Sequence, residues 1–208
     1  SNDFILRVAC IAVIGAISSV GTGLVIQPYL TSYIGMNRQQ LAALFSIAIV
    51  SVLLTLGLLA KPLTAYCGDV RTYQFCLFTV AIFPACLCFC AESLHVMLLA
   101  GLLMGPMFLQ IPIVSAIKSN LVSDDEQGLV QGALASLCNL AAALAAPIFS
   151  WLYNYCTSGG AEASRTAAFP ALLSASAAGM LAFLVSLTLP LTVPSSCTAA
   201  LSEAFLKV

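Results

Sequence analysis

Three amide side chains, Gln27, Gln110 and Asn139, lie inside long apolar runs of this 208-residue sequence. An amide removed from water without a hydrogen-bond partner costs roughly 2–7 kcal/mol, depending on the reference medium. Each of the three therefore has to face protein or a water-filled cavity, and if the chain holds a binding site these are the candidate positions. The structural alternative is hydrogen bonding between helices, worth on average only about 0.6 kcal/mol inside a membrane. Gln27 is followed by Pro28, and Gln110 stands two residues before Pro112.

Nine cysteines invite a redox or metal reading, but their spacing argues against it. On a helix, Cys86 and Cys90 share one face and Cys88 points well round from them. Zinc ligands follow other spacings, and His95 is the only histidine. Buried cysteine behaves as a small hydrophobe, so packing is the expected role and no metal or cofactor is expected. Nothing pairs a nucleophile with a base, and nothing forms a phosphate-binding loop, so an enzyme is not expected either. The net charge of −1 offers no field for nucleic acid.

The elements that position these residues follow from composition. Hydrophobic residues make up 61% and charged residues 7%, against roughly 25% charged in soluble domains. The charges cluster, and six charge-free apolar stretches lie between the clusters. Each is long enough to cross a hydrocarbon core of about 30 Å, which takes around 20 helical residues. Without water, every backbone N–H and C=O must be paired within its own segment, so each stretch should be helical. The sequence predicts an all-α integral membrane six-helix bundle with helices at about 8–31, 40–60, 73–91, 95–117, 128–155 and 167–190. Residues 1–190 form the transmembrane domain and 191–208 a tail opened by Pro190 and Pro194. The chain opens on Ser1, which fits a processed product or a piece of a longer chain. The first apolar stretch is too long for a signal peptide, and more of the same follows it.

Basic residues orient the bundle. Arg7, Lys61, Arg71, Lys118 and Lys207 fall on the side of both termini, and only Arg38 and Arg165 on the other. Both termini are therefore expected on the cytoplasmic side, or the organellar equivalent. Cys156 and Cys197 then lie on opposite sides and should not pair.

Small residues mark helix-packing positions. Gly101 and Gly105 form G-x-x-x-G on the fourth helix, and Gly128 and Gly132 repeat it on the fifth. Such pairs let helix backbones approach closely in lipid. The alanine-rich fifth helix reads as close-packed, whereas the third, rich in Phe, Leu and Cys, reads as peripheral. Pro28, Pro84, Pro106, Pro112 and Pro147 fall in or near helix interiors, where neighbouring groups must satisfy the freed carbonyls.

Two segments carry a family pattern. One is Lys61-Pro62-Leu63-Thr64-Ala65-Tyr66-Cys67-Gly68-Asp69-Val70-Arg71, read as the loop between helices two and three. The other is Asp125-Glu126-Gln127-Gly128, continued by Gln131-Gly132-Ala133-Leu134 and Ser136, at the start of helix five. Together they resemble the C-terminal half of a major facilitator superfamily transporter, nearest the tetracycline/proton antiporter-like branch. Pro62, Leu63, Gly68, Asp69 and Arg71 fit the family's loop motif. Lys61 stands where that motif has glycine, and Ala65 and Tyr66 where it has two basic residues. Ala146-Pro147 replaces the usual Gly-Pro.

The resemblance implies a twelve-helix architecture of which this chain supplies six, as two three-helix repeats rocking against a partner half. Helices one and four would line the cavity, two and five would face the partner half, and three and six would face lipid. No charged residue falls inside any span, so this half offers no proton relay of its own. Two functions fit. One is the C-terminal half of a secondary transporter of small solutes, paired with a second six-helix half from the same gene or another copy. The other is a transport-inactive structural subunit packed among neighbours in an organellar respiratory or photosynthetic assembly. Family grounds favour the first.

Overall fold

The computed structural model describes residues 2–90, 100–119, 124–158 and 165–190. All the elements there are helical. Helix α1 spans Asn2–Ser32. Helix α2 spans Arg38–Cys67, passing through a π-helical turn at Thr55–Leu59. Helices α3, α4, α5 and α6 span Asp69–Cys90, Met104–Ser119, Asp124–Thr157 and Phe169–Ser186. Short 3₁₀ turns, Gly101–Leu103 and Arg165–Ala168, lead into α4 and α6. Five helices are long and apolar enough to cross a membrane, and the apolar run at α4, Gly101–Ile117, is shorter among the described residues. The expected start of the fourth helix, His95, Cys197 and the tail 191–208 lie outside the described residues.

The helices alternate in direction. One core cluster joins Phe4, Val8 and Ile11 of α1 to Val70 and Tyr73 of α3, Ile117 of α4 and Leu189 beyond α6. The opposite cluster joins Tyr29 and Leu30 to Leu44, Leu87, Met107 and Leu172. The Arg7 guanidinium donates to the Thr188 carbonyl at 3.5 Å, so the start of α1 lies beside the end of α6. The turn between α1 and α2 uses Gly35 at φ 72°. A reciprocal cap follows it, in which the Gln40 N–H donates to Asn37 Oδ1 at 2.8 Å and the Asn37 N–H to Gln40 Oε1 at 3.0 Å. That pair satisfies two donors the helix start leaves open.

Three corrections to the sequence reading emerge. The segment Lys61–Arg71 is not a loop. Helix α2 continues to Cys67 and α3 begins at Asp69, so Gly68 alone reverses the chain. Its φ of 81° places it where a Cβ would be strained, and the Thr72 hydroxyl ties the corner by donating to the Gly68 carbonyl at 2.8 Å. Pro62 fits because it sits in the first turn of the α-helical stretch that follows the π turn.

Helix α3 is not peripheral. Of its most apolar stretch 61% is buried, more than in any other span described. Its bulk fills the groove left by small residues of α6. A Cβ on Gly179 would stand 2.9 Å from Ala81 Cα and 2.9 Å from Ser18 Oγ. Ser18 donates to the Ala175 carbonyl at 2.7 Å, Ser176 donates to that of Ala81, and Gln74 to that of Ser186 at 2.9 Å. Phe, Leu and Cys suit lipid and protein equally, because hydrocarbon tails are as apolar as a core. Composition therefore misplaced this helix.

Helix α5 is not close-packed within the chain. Only 17% of its most apolar stretch is buried, chiefly where Ala145 and Phe149 meet α1 and α6. Gly128 and Gly132 have nothing within 4 Å of the space a Cβ would fill. Small residues permit close approach but do not supply a neighbour. Gly101 and Gly105 do meet one. A Cβ on Gly105 would come within 2.7 Å of the Ser51 carbonyl oxygen, which presses α4 onto α2. The Ser51 hydroxyl donates across the same seam to the Leu102 carbonyl at 2.7 Å.

Prolines 28, 84, 112 and 147 stand inside α1, α3, α4 and α5 without dividing them. The outward faces of α2 and α5 are apolar, with Leu53, Leu58, Leu140, Leu144 and Ile148 all exposed. A surface of that kind on several long helices suits lipid or another membrane protein.

Candidate functional site

The space between α1, α4 and α5 is a cavity of about 480 Å³, partly open to the outside. Ala12, Ala16, Ser19 and Val20 of α1 form one wall. Their small side chains leave room that leucines would fill. Gln110, Val114 and Ser115 project from α4, and Gln131, Cys138 and Asn139 from α5. Residues 131, 135, 138, 139 and 142 all reach it, the three- and four-residue spacing that puts side chains on one helix face.

Two of the three amides singled out from the sequence meet here, Gln110 and Asn139. Gln27 does not. It is exposed near the end of α1 and does not line this cavity. Gln110 is half-buried and donates to the Ser19 hydroxyl at 3.3 Å, and Ser19 donates to the Gly15 carbonyl at 2.9 Å. One amide N–H and the carbonyl oxygen of Gln110 are left over for a solute. A Cβ on Gly15 would stand 3.4 Å from Gln110 Oε1, so glycine leaves the amide room.

Tyr73 reaches the same cavity from α3. It is only 1% exposed, and its hydroxyl has no hydrogen-bond partner among the described residues. A buried hydroxyl left unpaired costs about 1–3 kcal/mol. Sequence reasoning missed it, along with Ser19 and Gln131. The available signal was a polar-tipped aromatic residue just inside an apolar span. Among the described residues, no charged side chain lines this cavity.

A second cavity of about 270 Å³ adjoins the first, sharing Ser19, Val20, Gln110 and Ile111. It is otherwise lined mainly by apolar groups, among them Ile26, Phe83, Met104, Met107 and Phe108. A third hollow lies along α2 and α4 beside the π turn, between Ser46, Val50, Thr55 and Pro106. The motif residues Pro62, Leu63, Gly68, Asp69 and Arg71 form the α2–α3 corner and line none of these spaces. Among the described residues, no three His, Cys, Asp or Glu side chains are grouped to hold a metal ion.

Several antiparallel helices long and apolar enough to span a bilayer define a multi-pass membrane protein. The family model of the Major Facilitator Superfamily matches residues 8–204, and the chain belongs to that superfamily of membrane transporters. No curated relative and no solved structure matches the chain.

Proposed function

We propose that the chain is the C-terminal six-helix half of a secondary transporter of small solutes, in the tetracycline/proton antiporter-like branch. The observation that supports this is the 480 Å³ cavity where Gln110, Asn139, Ser19 and Tyr73 converge without a charge. Residues 1–190 are the transport domain and 191–208 its tail, with both termini on the cytoplasmic side or its organellar equivalent. A second six-helix half, from the same gene or another copy, covers the exposed faces of α2 and α5 and closes the cavity. Lipid surrounds the rest. Charged groups that couple transport to an ion belong to that other half, since the spans here carry none.

A second reading rests on the α2–α3 corner. Lys61, Ala65 and Tyr66 depart from the family motif, which suits a transport-inactive subunit packed in a larger membrane complex. Reconstitution separates the two. Liposomes containing both halves should take up radiolabelled neutral solutes faster than empty vesicles. Uptake equal to that of empty vesicles, with and without the second half, removes the transporter reading.

A further inference from the structure

We infer that Ser51 of α2 supplies the hydrogen bond that Pro106 of α4 has no N–H to give, and that this joint positions Gln110. The inference is separate from the transporter reading and holds whether or not solute crosses the chain.

In a continuous α-helix the Leu102 carbonyl would accept from the N–H four residues further on. That residue is Pro106, which has none. The chain there forms a 3₁₀ turn at Gly101–Leu103, and α4 itself begins only at Met104. The Ser51 hydroxyl takes the missing place, donating to the Leu102 carbonyl at 2.7 Å. Gly105 makes that reach possible, because a Cβ on it would stand 2.5 Å from Ser51 Oγ. Serines in helices commonly bond a carbonyl of their own preceding turn, as Ser19 and Ser115 do. Ser51 reaches another helix instead.

The buried residues of α2 in this stretch, Leu44, Ala48, Ser51 and Thr55, keep three- and four-residue steps. That stripe stops at the π turn, and no residue of Ala60–Cys67 is buried. Ser51 thus stands in the last part of α2 that α4 can hold. Gln110 follows Pro106 by about one helical turn and donates to Ser19 of α1. Helix α4 is therefore tied to α2 at Leu102 and to α1 at Gln110. Loosening the first tie frees the break at Pro106 to change the tilt of the segment that carries Gln110.

The chain in lipid nanodiscs, with carbon-13 at leucine carbonyls and nitrogen-15 in leucine backbones, provides the test. The Leu102 carbonyl is then bonded to the labelled nitrogen of Leu103, and its signal is the one lost in Leu103→Ile. Ser51→Ala should move that signal in the direction of hydrogen-bond loss. Adding Pro106→Ala, which restores an N–H at position 106, should move it back. Ser51→Ala should also lower the folding equilibrium constant in mixed micelles about tenfold or more, since a carbonyl in an apolar span is left unpaired. In the Pro106→Ala background the loss should be about threefold or less, the average worth of an interhelical hydrogen bond in membranes. The Gln110 side-chain amide, labelled with nitrogen-15 and assigned by its loss in Gln110→Leu, should shift in Ser51→Ala. Should Ser51→Ala fail to fold, folding regained on adding Pro106→Ala supports the inference, and folding not regained overturns it. A Leu102 signal unmoved by Ser51→Ala, or equal losses in the two backgrounds, overturns the stand-in role. A Leu102 signal that moves while that of Gln110 stays overturns the positioning role. Solute uptake by the two-half liposomes tests the transporter reading alone and leaves this inference where these signals put it.

Discussion

Gln110 of α4 donates a hydrogen bond to Ser19 of α1 across 3.3 Å, and the Ser19 hydroxyl donates in turn to the Gly15 carbonyl at 2.9 Å. The two helices that face each other across the cavity are thus joined by side chains that also form its wall. This relay can serve structure, recognition or both, and the energies of the two roles differ.

As a structural contact, the bond is worth about 0.6 kcal/mol, the average for interhelical hydrogen bonds in membranes. Gln110→Leu should therefore change unfolding stability in mixed micelles by about 1 kcal/mol or less. In liposomes holding both halves it should lower solute uptake about tenfold or more, because a polar solute then loses its partner in a water-poor site. Equal, small effects on both measurements would assign Gln110 to packing alone.

Tyr73 carries the opposite sign. Its hydroxyl is buried without a partner among the described residues, so Tyr73→Phe removes an uncompensated polar group and leaves the ring in place. The variant should be as stable as the natural chain or more stable, by up to about 1 kcal/mol, in thermal unfolding followed by circular dichroism. A loss of 1 kcal/mol or more would mean that the hydroxyl is satisfied within the protein.

The two glycine pairs should respond differently. Gly105→Ala puts a methyl 2.7 Å from the Ser51 carbonyl oxygen, and overpacking against backbone costs typically about 1–3 kcal/mol. Gly132→Ala meets open space. There alanine's better helix propensity leaves stability unchanged or raises it by up to about 1 kcal/mol. Thermal unfolding of the two variants side by side decides the matter. Comparable destabilisation would contradict the packing of α4 on α2. Gly132→Leu should in addition weaken co-purification with a second half, because a bulky side chain keeps another helix from approaching.

Much of the fold was legible because the signal is thermodynamic and local. A run of about 20 apolar residues without charge has few alternatives in a bilayer. The family pattern at Asp125–Ser136 was readable for a similar reason, as a contiguous run of residues. The neighbours of each helix were not legible. The Phe-Leu-Cys composition of α3 does not distinguish a core from lipid, whereas the fit of its Ala81 against Gly179 and Ser176 is a matter of shape. Gln110 and Asn139 stood out as amides in apolar runs. Gln27 met the same criterion but faces outward, because spacing fixes the face of a helix only when the neighbours are known. Tyr73 stayed hidden, since a tyrosine near a span end also suits the membrane interface.

Trp151 is the only tryptophan, exposed and stacked on Tyr155 at a centroid distance of 5.4 Å near the end of α5. Six residues at about 1.5 Å each place it roughly 9 Å from Thr157. Aromatic pairs of this kind collect at headgroup depth. Its fluorescence should be quenched more by lipids brominated near the glycerol end of the chain than near the bilayer centre. The reverse order would contradict the depth assigned to α5.

The central claim is that the face of α5 bearing Asn139 borders a wet cavity while the adjacent face, bearing Leu140, turns to an apolar, water-free neighbour. Asn139 lines the cavity, and Leu140, also exposed, does not. In a variant freed of its natural cysteines, Asn139→Cys and Leu140→Cys can be placed separately and treated with a hydrophilic maleimide in sealed liposomes. A thiol in hydrocarbon is held protonated, and each unit of raised pKa slows its reaction about tenfold. Asn139→Cys should react at least about tenfold faster than Leu140→Cys. Equal rates, or two inert thiols, would contradict the cavity and the transport reading built on it.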